Sequence, residues 1–305
     1  MNLRNTGANN IAIRDIGPLT LSGVTMDNAS GSLTVNTQGS ILQTGAILTG
    51  TGNVTFDASN SANGAIILDN ANNDFRGSTA LNARGAGANA VITDVNALTL
   101  GQSTVAQDLT VRANGALNLN SSTDTSGVGR NLFATSNNVP TGASGAVTQT
   151  GALSMGGTAS INAGNAAIQL NNQNNDFAGG LSLMNSGANN IAVTARSGLV
   201  LSGVNMTATT AGSLSLTAGL DISQTGAINT GTGDITIQAG TSRTTRVPSH
   251  IALDGVGNNF RGLVNLAGGR GSGGNIAIRA AGLLQLSGVS MDASRAGSLT
   301  VTSNG

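Results

Sequence analysis

The sequence predicts an all-β fold, a right-handed parallel β-helix (β-solenoid) with about 20 residues per coil and one or two loop insertions. Three observations predict it. Whole phrases recur at fixed offsets, short apolar triplets with a period of two recur between glycine-rich turns, and no stretch carries the apolar stripe of an amphipathic helix. The right hand comes from the general preference of parallel crossovers.

Strand-like triplets set the predicted coil length. Leu199-Val200-Leu201 and Leu220-Asp221-Ile222 are in equivalent phase, and Leu214-Ser215-Leu216 and Ile235-Thr236-Ile237 repeat at the same interval. A parallel strand pair needs a crossover of a dozen or more residues. Because further strands rather than a helix fill this interval, we expect the chain to return to the same face once per coil.

Longer phrases are superimposed on the coils. "LSGVTM" (21–26) returns as "LSGVNM" (201–206) and "LSGVSM" (286–291), while the phenylalanine of another phrase stands at 75, 177 and 260. The large unit is therefore longer in its first copy than in its second. We expect one continuous β-helix over residues 1–305, with super-repeats at roughly 1–77, 78–179, 180–262 and a partial 263–305.

The phenylalanine phrase reads "NNDFRG" (72–77), "NNDFAG" (174–179) and "NNFRG" (258–262). A reused binding pocket and a reused corner of the scaffold both explain it, and we favour the corner, because asparagine and glycine tolerate the backbone conformations of tight turns. The predicted corner residues are Phe75, Phe177 and Phe260, packed inward, and Asn73, Asn175 and Asn259, bonded to local backbone.

Two stretches interrupt the regular pattern. Residues 120–145 are rich in turn formers and contain Pro140, and residues 240–250 contain Pro248 and the single histidine. Loops that leave a repeat scaffold often carry function. The partner-binding candidates of the sequence are therefore Arg243, Arg246 and His250.

Composition narrows the class of protein. The formal net charge is zero, with 13 cationic and 13 acidic residues and no tryptophan or tyrosine. Nucleic-acid binding needs a basic patch and usually stacking aromatics, so we expect no nucleic-acid partner. No apolar run approaches the length of a membrane-spanning helix, so we expect no membrane span.

The sequence gives little support for catalysis. It has no cysteine, and His250 is the single conventional base. The aspartates are scattered, and no stretch reads as a zinc, calcium or phosphate-loop motif. We expect no enzyme activity and no catalytic, cofactor-binding or metal-binding residue. A polysaccharide-cleaving β-helix is the less favoured alternative, and it would need aspartates gathered in one groove.

Several phrases together resemble a known family. "LDNANNDFRG" (68–77), "QTGAI" (43–47), "GSLTV" (31–35) and "IAIRDIGPLTLSG" (11–23) are similar to the repeats of filamentous-haemagglutinin-type exoproteins. These are large adhesins of two-partner secretion systems and include contact-dependent inhibition proteins. The family's amino-terminal secretion domain, with its "NPNG"-like motifs, has no counterpart here, so we interpret the chain as a shaft segment.

The resemblance implies a secreted or bacterial cell-surface protein, exported by an outer-membrane two-partner secretion transporter and used in adhesion, biofilm formation or toxin display. Our leading hypothesis is a structural shaft that extends a binding or effector tip. A second is an adhesin that binds a host cell surface, a glycan or a neighbouring bacterial cell through residues 240–250. A third is a fibre subunit that associates end to end through exposed strand edges.

Overall fold

A computed structural model describes residues 1–27, 30–120, 129–136, 145–207, 209–242, 247–268, 273–291 and 296–305. None of the described residues is helical, and every strand pairing in them is parallel. Consequently this part of the chain holds no helix able to cross a membrane. The predicted all-β, parallel β-solenoid is confirmed.

The chain forms two compact units, Met1–Gly157 and Thr158–Gly305. The strands of unit 1 are β1 (Asn2–Asn5), β2 (Ile11–Asp15), β3 (Leu19–Leu21), β4 (Gly23–Met26), β5 (Leu33–Thr37), β6 (Ile41–Gln43), β7 (Ile47–Leu48), β8 (Val54–Asp57), β9 (Ile66–Leu68), β10 (Thr79–Ala83), β11 (Ala90–Asp94), β12 (Leu98–Thr99), β13 (Thr104–Val105), β14 (Leu109–Ala113), β15 (Leu117–Leu119), β16 (Leu132–Ser136), β17 (Val147–Gln149) and β18 (Ser154–Met155).

Unit 1 stacks its strands in columns. The order β3-β6-β9-β11-β14-β16 forms what we name sheet 1A, and β2-β5-β8-β10-β13 forms sheet 1B. Two shorter columns have the orders β1-β4-β7 and β12-β15-β17. Because successive strands of one column come from successive coils, a residue and its register partner occupy the same place in neighbouring coils.

Unit 2 repeats this arrangement. Its strands are β19 (Ala159–Asn162), β20 (Ile168–Leu170), β21 (Asp176–Phe177), β22 (Gly180–Met184), β23 (Ile191–Ala195), β24 (Leu199–Asn205), β25 (Leu214–Ala218), β26 (Ile222–Gln224), β27 (Ile228–Asn229), β28 (Ile235–Gln238), β29 (Ile251–Leu253), β30 (Leu263–Ala267), β31 (Ile276–Ala280), β32 (Gln285–Ser290) and β33 (Leu299–Ser303). Sheet 2A has the order β19-β22-β24-β26-β29-β31-β33, and sheet 2B has the order β20-β23-β25-β28-β30-β32.

The coils are longer than the sequence predicts, with equivalent strands roughly 23 residues apart. Leu214 does pair with Ile235, as the triplets predict, but Leu199 pairs with Ile222 and not with Leu220. Leu220 lies in a turn before β26, so the period-two pattern placed the start of that strand too early. Turn length, rather than strand length, sets the size of each coil.

Both predicted insertions lie in long coils. Leu117 pairs with Val147 across the turn-rich stretch 120–145. Ile222 pairs with Ile251 across the stretch 240–250. The strands on either side keep their register, which shows that the extra residues are accommodated between strands.

Alternation of burial along the strands builds the core. In β11 and β23 every second residue is buried, and the outward residues between them are partly exposed. Register places buried isoleucine, leucine and valine over one another, as in the run Leu214, Ile235 and Val264 of sheet 2B. Apolar burial of this kind supplies most of the stabilisation of such a coil.

The super-repeat does not contain a whole number of coils. In unit 2, Ile168 lies in sheet 2B, whereas Ile251, its equivalent in the next super-repeat, lies in sheet 2A. The phrase that begins at Leu201 in sheet 2A begins at Leu286 in sheet 2B. A super-repeat of this unit therefore spans a whole number of coils plus about half a coil. As a result, equivalent phrases of successive super-repeats lie on alternate sheets.

Candidate partner-binding surface

The corner asparagine of unit 1 is a structural residue. Asn73 is fully buried, and its Nδ2 donates to the carbonyl oxygens of Leu68 (3.1 Å) and Thr93 (3.2 Å). Its Oδ1 accepts the backbone N–H of Ile47 at 2.9 Å. This one side chain therefore joins backbone groups of three successive coils.

A glutamine from the previous coil completes the corner. Gln43 Nε2 donates to Asn73 Oδ1 and Asn73 Nδ2 donates to Gln43 Oε1, each at 2.9 Å. We name this reciprocal pair the amide clasp. The amide clasp accounts for the joint recurrence of "QTGA" and "NN" in the sequence. That joint recurrence is the sequence signal that could have revealed the pair. Sequence reasoning missed Gln43 because its partner lies 30 residues away.

The clasp recurs in unit 2, but with Asn258 rather than the predicted Asn259. Gln224 Nε2 donates to Asn258 Oδ1 at 2.8 Å, and Asn258 Nδ2 donates to Gln224 Oε1 at 2.7 Å. The third copy of the phrase lacks its aspartate, so Asn259 occupies the place of Asp74, where each forms a bridge to the preceding coil. The sequence prediction for Asn259 was wrong, and the role falls to its neighbour.

The remaining predicted corner residues lie as expected. Asn175 donates to the carbonyl oxygens of Leu170 and Thr194, both at 3.0 Å. Phe75, Phe177 and Phe260 are buried. Phe75 meets Phe56 edge to face, with ring centroids 6.1 Å apart. The phrase therefore builds a corner of the scaffold around a buried aromatic ring.

Two aspartates beside Phe75 have shifted pKa values. Burial raises the pKa of Asp94 to about 6, although its oxygens accept the N–H groups of Asn96 and Phe75 (2.7 and 2.8 Å). Partial burial also pushes the pKa of Asp74 upward, but hydrogen bonds from Arg76 and Asn96 outweigh it and hold that pKa below its ordinary value. Asp74 and Arg76 form a salt bridge at 2.7 Å. Both carboxylates thus bond to residues of the corner and stabilise it.

A polar groove lies in unit 2. It has a volume of about 500 Å³ and borders the stretch that the sequence singled out for partner contacts. Its polar lining comprises Gln173, Thr194, Arg196, Thr217, Thr241 and Ser242. Successive coils supply these side chains, so the stacking itself positions them.

Arg196 is the charged group of the groove. Its side chain is 60% exposed, and its Nε donates to Asp176 Oδ2 at 3.1 Å. Ser197 Oγ donates to the other oxygen of that carboxylate at 2.7 Å. Partial burial raises the pKa of Asp176, but the bonds from Arg196 and Ser197 outweigh this and keep the pKa below its ordinary value. The groove thus offers hydroxyl, amide and guanidinium groups with little net charge, which suits a polar, uncharged ligand.

The histidine candidate takes part in the scaffold. His250 donates its backbone N–H to Asp221 Oδ1 at 2.7 Å, and its ring Nδ1 accepts the backbone N–H of Asn275 at 3.0 Å. Asn275 Oδ1 in turn accepts the N–H of Ser298 at 2.9 Å. His250 is one step of a polar ladder between coils. The other candidates, Arg243 and Arg246, lie outside the described residues.

The described part of the chain contains no group of three or more histidine, cysteine or acidic residues able to hold a metal ion. In that part, the aspartates with shifted pKa values are bonded to backbone or to neighbouring side chains of the scaffold.

Stacked parallel coils and a repeated corner define a β-solenoid repeat protein. The family model described as repeats of unknown function (DUF5649) matches residues 8–82, 87–139, 116–184 and 188–267. These stretches cover most of the chain, which therefore belongs to this family. Searches of the curated proteins and of the solved structures returned no match.

Proposed function

We propose that the chain is part of the structural shaft of a secreted or surface-displayed bacterial adhesin, which holds a binding or effector tip away from the cell. One observation carries the proposal. The polar side chains that recur with the super-repeat bond one coil to another, as the Gln43–Asn73 and Gln224–Asn258 clasps do. The recurring phrases are thus devoted to holding coils together.

The mechanism of such a shaft is mechanical. Each coil contacts its two neighbours, so stability is close to a sum over coils and their interfaces, and length grows with the number of repeats. The resemblance to filamentous-haemagglutinin-type repeats supports export through an outer-membrane two-partner secretion transporter. It also supports exposure on the bacterial surface.

Small-angle scattering and circular dichroism of the purified chain test the shaft. We expect a β-rich spectrum and a particle much longer than it is wide. A compact particle would overturn the proposal. Surface exposure is tested separately by antibody labelling and protease treatment of intact producing cells, since an intracellular protein would be neither labelled nor digested.

A second proposed function is direct adhesion through the unit 2 groove, which its size and its polar lining favour. Arg196→Ala and deletion of residues 241–249 should then each reduce binding of the chain to an array of glycans or to host cells. Arg4→Ala, which removes an exposed arginine from unit 1, is the matched control. Unchanged binding of both groove variants would refute this second function without affecting the proposal that the chain is part of a shaft.

A further inference from the structure

One outward column of sheet 1A is mostly apolar. Leu42, Ile67, Val91, Thr110 and Phe133 are register partners from coil to coil. Leu42 and Phe133, near the two ends of the column, are 38% and 43% exposed. Isolated exposed apolar residues are ordinary, but a contiguous apolar stripe on a surface marks an interaction site.

The neighbouring outward column carries opposite charges. Thr93 pairs with Arg112 of the following coil. In the preceding coil Leu68 is the register partner of Ile92, so Asp69, the next residue, lies beside Thr93. Asp69 and Arg112 are exposed. The salt bridges found among the described residues involve neither of them.

These two columns are arranged symmetrically about one coil, the coil of Val91. One coil away on either side stand Asp69 and Arg112. Two coils away on either side stand Leu42 and Phe133. A two-fold axis that runs parallel to the strands, just outside the face at Val91, would bring each acid of one copy against the base of the other. An isologous dimer needs this self-complementarity.

We propose that this face of unit 1 binds a second copy of the chain, sheet against sheet, with the two coil columns antiparallel. Val91 then contacts its own equivalent, Leu42 faces Phe133, and Asp69 faces Arg112 in both directions. With strands about 4.8 Å apart, five coils and two outward columns cover on the order of 300 Å² per copy. That is small for a specific interface, so we expect a weak dimer that forms at high protein concentration.

Sedimentation of the whole 305-residue chain over a range of concentrations tests the dimer. Asp69→Arg sets two arginines against each other, and Arg112→Asp sets two aspartates together, so each variant alone should dimerise about tenfold more weakly or worse. Mixed together they should form a heterodimer, because every arginine then faces an aspartate. Val256→Asp, a charge placed at an exposed apolar residue of unit 2, is the control and should dimerise like the parent chain.

Val91→Asp should abolish association while circular dichroism stays β-rich, which separates loss of the interface from loss of the fold. A wild-type chain that remains monomeric at every concentration would overturn the proposal. So would a mixture of the two charge variants that associates no better than either alone. Larger oligomers that survive Val91→Asp would instead indicate end-to-end stacking and exclude this face as the contact.

Discussion

At the scale of the residue, the buried amides determine how each corner closes. Asn73 Oδ1 accepts hydrogen bonds from the N–H of Ile47 and from Gln43 Nε2, and its two amide hydrogens are shared among two carbonyl oxygens and Gln43 Oε1. A buried backbone group without a partner costs about 1 to 3 kcal/mol. Because a single side chain serves several such groups, its loss leaves them unpaired together.

Asn73→Ala should therefore lower the free energy of unfolding by about 3 kcal/mol. Asn72→Ala, which truncates the exposed neighbour, should change it by less than about 0.5 kcal/mol. Chemical denaturation followed by circular dichroism measures both. In a double-mutant cycle with Gln43→Ala the two losses should not add, since both substitutions break the same clasp. Full additivity would contradict a reciprocal pair.

Asp94 makes stability depend on pH. Its pKa of about 6 in the folded protein lies above its ordinary 3.8, so the folded chain binds this proton more tightly than the unfolded chain does. The stabilisation is complete below about pH 3.8 and is lost as the pH rises through about 6. Two pKa units correspond to roughly 3 kcal/mol.

We expect Asp94→Asn to flatten the fall in stability between pH 4 and 6.5, measured by denaturation at each pH. The amide keeps one of the two acceptors that Phe75 and Asn96 use, so the variant should also be less stable than the parent at low pH. Asp254→Asn, at an exposed carboxylate, is the matched control. An unchanged slope in Asp94→Asn would assign the pH dependence to another group.

At the scale of the element, glycines allow turns of successive coils to lie directly on one another. A Cβ on Gly77 would stand 1.9 Å from the carbonyl oxygen of Gly52 one coil below. In unit 2, a Cβ on Gly262 would stand 1.8 Å from the carbonyl oxygen of Gly233. Backbone atoms at that distance cannot give way without moving the coil, so these positions require glycine for space rather than for its dihedral freedom.

Gly77→Ala should lower the free energy of unfolding by about 3 kcal/mol or more, since one of the two coils must shift. Gly17→Ala is the matched control in the same unit, because its added Cβ would meet nothing closer than Asp15 Oδ1 at 3.7 Å. It should be neutral or slightly stabilising. Thermal unfolding of the two variants side by side decides whether close turn stacking holds the coils.

At the scale of the whole molecule, the half-coil in the super-repeat decides which residues share a face. Ala192 and Ala277 occupy equivalent places in the phrases "IAV" and "IAI", yet they lie in sheets 2B and 2A. Ala192 instead has Ser215 as its register partner. A feature written once per super-repeat is therefore displayed alternately on two sheets of unit 2.

Cysteine pairs measure the register from which this alternation follows, because the chain has no cysteine of its own. Ala192→Cys with Ser215→Cys should form a disulfide on oxidation, as neighbouring parallel strands hold Cα atoms about 4.8 Å apart, within the range a disulfide spans. Ala192→Cys with Thr217→Cys should stay reduced, because Thr217 is the register partner of Thr194, and its Cα lies about 8 Å from that of Ala192. The reverse result would mean that β23 and β25 stack in another register.

A feature of this structure can be predicted from the sequence when the residues that determine it are close together along the chain. The buried phenylalanines, the inward strand residues and the two long coils follow from local patterns of apolar residues and turn formers. The partner of Asn73, the choice of Asn258 over Asn259 and the ladder position of His250 do not. Those depend on residues 25 to 34 positions apart that meet once the coils are stacked. The predicted single continuous domain, the bacterial surface location and the secretion partner stay predictions.

By itself, then, the sequence determined the class of fold and the residues that build its core, because period-two burial and glycine-rich turns are written over a few neighbouring residues. The tertiary structure decided the register, the amide clasps, the alternation of faces and the self-complementary stripe. The physical reason is that a solenoid forms its contacts between coils, and the length of each turn sets which residues meet. Where a turn ends and the next strand begins, as between Leu220 and Ile222, depends on pairing with the neighbouring coil, which no local pattern encodes.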